Sequence, residues 1–292
     1  MDRKHFIKTL LLGTVGITGF SAFNKFTGEL NEDGNLMPVL FIGHGSPMNG
    51  IQDNEFSRRW KKMAQEIPVP KAVLVVSAHW LSRGTRITAM DFPKTIHDFG
   101  GFPQELFSVQ YKAPGHPELA KETAALFKST NLEMDHDWGL DHGTWTIVRH
   151  MYPEANIPVL QLSIDYYKDP QYHYNLAKEL YDLRKKGVLI IGSGNMVHNL
   201  GMVAWDKIDS EYGYDWALTL NTKFKELIAN DDHKPLINYQ SLGKEALLAI
   251  PTADHYLPLL YTLGLKGSKD PVSFFNDKAV AGSLTMTSVK IG

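Results

Sequence analysis

The sequence contains no cysteine among its 292 residues. This absence excludes disulfide bonds, thiolate nucleophiles, cysteine-ligated zinc and iron–sulfur clusters. Any transition metal that the protein binds must therefore be held by histidine, aspartate or glutamate. With twelve histidines in the chain, histidine is the residue type to follow.

A large charge imbalance is also missing. The 30 basic and 32 acidic residues give a net charge of -2, so the chain lacks the positive field that draws proteins to nucleic acid or to an anionic bilayer. With 43% hydrophobic and 11% aromatic residues, it can bury a substantial core. We therefore expect a folded protein with no nucleic-acid partner.

The first 35 residues differ from the rest. Arg3, Lys4 and Lys8 precede a mostly apolar stretch at 10–23, an order typical of an export signal. The stretch is shorter than the roughly 20 apolar residues that span a bilayer, so we expect no stable membrane span. It resembles a twin-arginine signal with Lys4 in place of the second arginine. We expect residues 1–35 to be a signal-like segment and linker of a periplasmic or otherwise exported protein; the alternative is a cytoplasmic protein with an N-terminal extension.

The remainder of the chain, residues 36–292, alternates between short aliphatic runs and segments that can be helical. The runs have the composition of strands covered on both faces and lie at 37–42, 72–77, 157–163 and 188–191. The helical segments lie at 54–67, 117–127, 144–151, 170–185 and 216–229. This alternation predicts a single α/β domain, with a mainly parallel central sheet and helices on both faces.

Three of the predicted strands deliver a histidine just past their carboxyl ends, namely His44, His79 and His198. In open α/β sheets this edge is where ligands bind, because the loops that leave parallel strands converge there. A fourth histidine, His255, lies in a loop-like segment that could reach the same edge. Imidazole nitrogens suit iron, zinc and copper. The pattern indicates a mononuclear metal site with at least three histidine ligands; taken singly, each histidine could equally be a surface or packing residue.

Two further histidines have suggestive neighbours. Asp141 could cap a helix while His142 projects into a cleft, where a side chain that titrates near neutral pH suits proton transfer. His97 lies in a Gly-rich aromatic loop that could line the pocket of an aromatic ligand or simply turn the chain. The remaining histidines are assigned to surface or packing roles: His5, His116, His136, His150, His173 and His233.

A set of motifs, in order along the chain after residue 36, resembles the 4,5-DOPA extradiol dioxygenase family of class III ring-cleavage dioxygenases. The motifs are Gly43-His44-Gly45-Ser46-Pro47, Ser77-Ala78-His79-Trp80, Asp98-Phe99-Gly100-Gly101-Phe102-Pro103, Leu140-Asp141-His142-Gly143-Thr144-Trp145, Gly192-Ser193-Gly194-Asn195 with His198-Asn199-Leu200, and Asp254-His255-Tyr256-Leu257-Pro258. The resemblance implies that residues 36–292 form an extradiol ring-cleavage dioxygenase domain. It also implies one divalent metal ion per chain.

The resemblance also implies roles for individual residues. The implied metal ligands are His44, His79, His198 and His255, with an acid/base role as the alternative for His198. His142 is implied to move protons with His198, and we expect His97, Phe102 and Tyr256 to contact substrate. Relatives in the wider class use a glutamate as third ligand where this sequence offers His255, so the ligand set is all nitrogen.

The implied reaction inserts both atoms of dioxygen into a small catechol, next to its two hydroxyls, and gives a ring-opened semialdehyde. Turnover requires Fe(II), whereas Zn(II) is a plausible bound metal that cannot relay electrons. Two alternatives remain. One is a zinc hydrolase that uses the same histidines to activate water. The other is a non-catalytic metal- or phenol-binding protein of the cell envelope.

Overall fold

Short runs of valine, isoleucine and leucine form the centre of the sheet, where side chains are covered on both faces. The architecture is taken from a computed structural model that describes residues 36–208 and 210–292. The strands are β1 (Val39–Gly43), β2 (Ala72–Ser82), β3 (Thr85–Thr88), β4 (Leu132–Asp135), β5 (Val159–Asp165), β6 (Val188–Gly194), β7 (Val272–Phe275), β8 (Ala279–Val280), β9 (Leu284–Thr285) and β10 (Ser288–Ile291).

Eight of these strands form one sheet in the order β4-β3-β5-β2-β6-β1-β10-β7, and β8 and β9 pair separately. The four central strands, β5, β2, β6 and β1, run parallel. Antiparallel pairs occur toward the two edges, between β3 and β5, between β1 and β10 and between β10 and β7. The described residues thus form the predicted α/β domain with a mostly parallel central sheet.

Helices connect and flank the sheet. They are α1 (Glu55–Glu66), α2 (Gln104–Phe107), α3 (Pro117–Leu126), α4 (His142–Met151), α5 (Pro170–Lys178), α6 (Tyr181–Lys185), α7 (Asp215–Ala229), α8 (His233–Ile237), α9 (Lys244–Ala249) and α10 (Leu257–Gly264). Short 3-10 turns lie at Pro47–Gly50, Leu200–Met202, Trp205–Lys207 and Tyr239–Leu242.

Alternation along β6 separates the two faces of the sheet. Leu189 and Ile191 join the core cluster that contains Trp145 of α4. Gly192 and Gly194 lie on the other face, against the chain that leads into and forms α10. Because side chains alternate between faces along a strand, α4 and α10 cover opposite sides of the same strand. The central strand therefore supports two of the segments that carry the predicted site.

The structure refines several boundaries. Residues 170–185, predicted as one helix, form two, α5 and α6. The helix predicted from residue 144 begins at His142. The strand predicted to end at 77 continues to Ser82, and the sheet also contains the outer strands β3, β4, β7 and β10, which the aliphatic runs do not predict. Each of these outer strands has four residues, which is too short to show a clear period, and each depends on pairing with distant segments, so periodicity alone does not identify them.

The predicted signal-like segment and linker at 1–35 lie outside the described residues. Within residues 36–208 and 210–292, helices of the length and apolarity needed to cross a bilayer are absent.

Gly194 provides a test of the packing between β6 and the segment before α10. A Cβ at this position would lie 2.1 Å from the carbonyl oxygen of His255, so Gly194→Ala must displace backbone. We expect it to lower the free energy of unfolding by about 1–3 kcal/mol, measured by urea denaturation. Gly100→Ala is the matched control, because its Cβ would meet no atom within 4 Å; a change of more than about 0.5 kcal/mol there would contradict this account.

Candidate metal centre and active site

Three histidines from separate parts of the chain meet at the carboxyl edge of the parallel strands. His44 directly follows β1, and His79 lies in β2. His255 lies two residues before α10, and its carbonyl oxygen accepts a hydrogen bond from the backbone N–H of Asn195, just past β6. Because β6 lies between β2 and β1, the ends of adjacent strands bring these residues together, as expected for an open α/β sheet.

His79 differs from the prediction in one respect, because it lies inside β2 rather than just past its end. The pairing of β2 with β5 shifts register between Val76 and Leu81. Such an irregularity bends a strand and redirects its side chains. The first turn of α4 then packs closely on the ring, since a Cβ on Gly143 would lie 2.9 Å from Cδ2 of His79.

The ring nitrogens of His44, His79 and His255 lie close enough to share one ion. One ligand atom from each lies within 4.8 Å of those of the other two. The Nε2 atoms of His44 and His79 are 3.1 Å apart. Two nitrogens at about 2.1 Å from one ion, with an angle near 90–110°, would be separated by about 3.0–3.4 Å. The observed separation fits a shared metal ion.

The hydrogen bonds of Ser193 identify the ring nitrogen of His44 that carries the proton. Ser193 Oγ donates to the carbonyl oxygen of Gly143 and lies 3.0 Å from Nδ1 of His44. Since a serine hydroxyl has a single proton, Ser193 must accept from His44. His44 therefore carries its proton on Nδ1 and presents the lone pair of Nε2.

Carboxylates place the ring proton on Nδ1 in the other two histidines, His79 and His255. Asp254 Oδ2 is hydrogen-bonded to Nδ1 of His255, and Asp98 Oδ2 lies 3.3 Å from Nδ1 of His79. Because an ionised carboxylate only accepts, both Nδ1 atoms carry protons. All three Nε2 lone pairs are then available, and a carboxylate or hydroxyl behind each ring is the usual partner of a metal-binding histidine. These residues fit one divalent metal ion.

Burial keeps the histidines of this site in their neutral form. The loss of solvent on burial and the nearby rings of His255 and His142 hold the pKa of His44 well below its ordinary value. Burial, followed by His142 and His44, lowers the pKa of His79 in the same way. The neutral imidazole is the form that binds metal. For Asp254, burial alone would raise the pKa, but the hydrogen bond with His255 brings it below the ordinary value and keeps the carboxylate ionised.

His142 is the first residue of α4, and its side chain is 6% exposed. As predicted, Asp141 caps the helix by accepting from the backbone N–H of Thr144. Ser77 and Gln161 donate to the buried Asp141 carboxylate. These contacts fix the start of the helix, which places the ring of His142 with its centroid 3.9 Å from that of His79.

His198 is stacked on His255, with ring centroids 3.5 Å apart and planes within 5°. In-plane lone pairs of two parallel rings run side by side, and the group of histidines whose ligand atoms converge is His44, His79 and His255. Burial, with a smaller contribution from His255, lowers the pKa of His198 to about 3. The structure thus places His198 beside the site as a neutral imidazole.

The three residues predicted to contact substrate lie in different surroundings. Tyr256 is 1% exposed and its hydroxyl donates to the carbonyl of Leu236, so neither its ring nor its hydroxyl is available to a ligand; this prediction is corrected. His97 Nε2 lies 3.0 Å from the carbonyl oxygen of Val109.

The aromatic loop reaches the site through a different residue, Phe99. Its ring packs edge-on against His142 at 5.5 Å. His97 and Phe102 contact Phe99 in turn, at 5.8 and 5.4 Å between ring centroids. Phe99 is therefore the aromatic residue of this loop next to His142, and His97 and Phe102 pack against the ring of Phe99.

Sequence reasoning missed the residues that orient the histidines: Asp98, Ser193 and Asp254. A signal was present for two of them, because Asp254 directly precedes His255 and Asp98 starts the Asp-Phe-Gly-Gly-Phe-Pro motif. Ser193 lies in a strand whose histidine partner is 149 positions away, so only the fold could associate the two.

Comparison with known proteins identifies the family. Residues 38–289 match the family described as the catalytic LigB subunit of aromatic ring-opening dioxygenase. The 4,5-DOPA dioxygenase extradiol of Escherichia coli K12 is 44% identical over 260 residues, which cover 88% of this chain and 95% of that protein. The protein of the same name from Beta vulgaris is 34% identical over 269 residues, which cover 89% of this chain and 98% of that protein.

A solved structure agrees with these matches. The crystal structure of an uncharacterized Escherichia coli K12 protein has a TM-score of 0.76 and 40% sequence identity, and covers 88% of this chain and all of that one. The chain therefore belongs to the family of extradiol aromatic ring-opening dioxygenases related to the catalytic LigB subunit, as its motifs predicted.

Proposed function

We propose that this enzyme uses one divalent metal ion, Fe(II) for turnover, to open a catechol ring next to its two hydroxyls. The observation that carries the proposal is the convergence of three proton-free imidazole nitrogens, including the 3.1 Å approach of His44 Nε2 to His79 Nε2. Both oxygen atoms of dioxygen enter the product, so catechol and dioxygen together balance as one semialdehyde acid and no external reductant is required.

His44, His79 and His255 are the residues that would hold the ion. Bound iron would supply the electronic coupling between an aromatic diol and dioxygen. Zinc fits the same nitrogen set but has no redox chemistry. Because all three ligands are neutral, they leave the full positive charge of the ion to favour the ionised form of a bound diol.

His142 is the residue best placed to accept a proton from the diol. Its Nδ1 lies 3.0 Å from Asp98 Oδ2, which leaves Nε2 as the basic nitrogen. General bases of this kind contribute about 10²–10⁴-fold to rate. His198, stacked on His255, lies at a different position around the site. We assign it the acid/base role beside the ion rather than that of a ligand.

Phe99 supplies an apolar surface next to His142 on which an aromatic ring can pack. Relatives named 4,5-DOPA dioxygenase support a DOPA-like catechol as the first substrate to test. The histidines would face the diol and therefore do not select the substituent on the ring. A panel of catechols with different substituents is the experiment that identifies the preferred substrate.

Iron dependence is the first test of this proposal. Protein loaded anaerobically with Fe(II) and then given air and DOPA should consume about one dioxygen per catechol and form a coloured semialdehyde, followed with an oxygen electrode and by absorbance. Zinc-loaded protein should bind the catechol without consuming oxygen. Oxygen uptake that is unaffected by iron removal would contradict the proposal, and zinc-dependent ester hydrolysis without oxygen uptake would favour a hydrolase instead.

The ligand set is tested by substituting one histidine at a time. His44→Ala, His79→Ala and His255→Ala should each weaken zinc binding by at least about 100-fold, since each removes a metal–nitrogen bond, as measured by competition with a chelator. His198→Ala should retain zinc within a few-fold, and the exposed His136→Ala serves as the surface control. Full zinc affinity in His255→Ala would remove His255 from the set.

The role of His142 is separable from metal binding. His142→Gln keeps a polar side chain of similar size but removes the base, so kcat should fall by about 10²–10⁴-fold while one zinc or iron per chain is retained. Steady-state oxygen uptake and elemental analysis provide the two readouts, with His136→Gln as control. A variant that loses its metal, or that turns over at the normal rate, would disprove this role.

A further inference from the structure

We propose that Asp98 is a positioning residue that sets the orientation, and the proton-bearing nitrogen, of both the metal ligand His79 and the neighbouring base His142. This inference deepens the proposed function and rests on it. It concerns a residue that makes no direct contact with metal or substrate and acts through two histidines at once.

The geometry of the Asp98 carboxylate carries the proposal. Oδ2 lies 3.3 Å from Nδ1 of His79 and 3.0 Å from Nδ1 of His142. Oδ1 accepts a hydrogen bond from the backbone N–H of His142 at 2.9 Å. The side chain is only 18% exposed, so the carboxylate is held between the strand that carries one histidine and the helix that begins with the other.

A single oxygen, Asp98 Oδ2, therefore faces Nδ1 of both rings. An ionised carboxylate presents only lone pairs, so a ring nitrogen that lies 3.0–3.3 Å from it carries a proton rather than a second, repelling lone pair. Both Nε2 atoms are then free of protons on the side of each ring that faces away from Asp98. For His79 that side faces His44, where the ion would bind. For His142 it leaves a base whose ring lies against that ligand.

A second possible metal site includes Asp98 itself. His79, Asp98 and His142 also bring ligand atoms within 4.8 Å of one another and could themselves hold a metal ion. However, an ion there would use Nδ1 of His79, which faces Asp98, whereas Nε2 of the same ring already faces His44. A neutral imidazole has one free lone pair and binds one metal. Occupation of the three-histidine site therefore leaves the Asp98 carboxylate facing the Nδ1 atoms of both rings.

Asp254 provides a matched comparison within the same chain. Its carboxylate is hydrogen-bonded to His255 Nδ1, so it orients one ligand. Removing the charge of Asp254 should disturb the metal alone. Removing that of Asp98 should disturb both the metal and the base, and this difference separates the proposal from a general structural effect.

The test compares zinc-loaded native protein with Asp98→Asn at mildly alkaline pH. The amide oxygen can still accept from the His142 backbone, but the amide nitrogen now donates toward both rings. We expect zinc affinity to fall by about 10–100-fold, measured by chelator competition. We also expect the ring proton of His142 to move from Nδ1 to Nε2, observed in long-range 1H–15N NMR spectra of the imidazoles.

Three further variants complete the design. Asp254→Asn should weaken zinc to a similar extent yet leave the His142 proton on Nδ1. Asp98→Glu, which keeps the carboxylate, should retain that proton on Nδ1 even if distances change. The exposed Asp137→Asn should alter neither readout. In the iron enzyme, Asp98→Asn should lower kcat/KM mainly through kcat, and should lower it little further in a His142→Gln background while still weakening zinc.

Defined results would overturn the proposal. It is wrong if Asp98→Asn leaves both zinc affinity and the His142 proton unchanged, or if His142 Nδ1 is bound to zinc in the native protein. It is also wrong if Asp254→Asn moves the His142 proton as Asp98→Asn does. Failure of the proposed function gives a different result, because native iron-loaded protein would then not consume oxygen with any catechol while the zinc and NMR differences persist.

Discussion

Three imidazole lone pairs that converge on one point repel one another, and a cation removes that repulsion. The arrangement of His44, His79 and His255 follows from the groups behind them, since each Nδ1 faces a serine oxygen or a carboxylate. Without those acceptors, any of the rings could turn or move its proton. The chemistry of the site therefore depends on the hydrogen bonds behind the rings as much as on the histidines themselves.

The fold provides these acceptors from rigid elements. Ser193 belongs to β6, between the strands that carry His44 and His79. The close approach of Gly194 to the carbonyl of His255 fixes the segment that presents the third histidine. The register shift in β2 directs His79 toward the same edge. A site assembled from strands and helix starts has little freedom to rearrange, which keeps the ring nitrogens of the three histidines at fixed separations.

The all-nitrogen set has electrostatic consequences. The carboxylates of Asp98 and Asp254 contact the Nδ1 atoms of His79 and His255 and do not stand among the converging ring nitrogens. The negative charge is thus still close, but it acts through imidazole protons instead of on the ion directly. Such charge increases the basicity of the histidine nitrogens that would bind a metal ion.

The sequence by itself determined the α/β class, the central parallel strands, the cap at Asp141 and the family, because these depend on local periodicity and on motifs that occur in order. Its motifs also pointed to His44, His79 and His255, whose ring nitrogens the fold brings together, and to His142 beside them. Sequence reasoning left the place of His198 open and misplaced Tyr256. It also missed Phe99 and the orienting groups Asp98, Ser193 and Asp254. These depend on which ring faces which acceptor across distant segments, and only the packed tertiary structure decides directions of that kind.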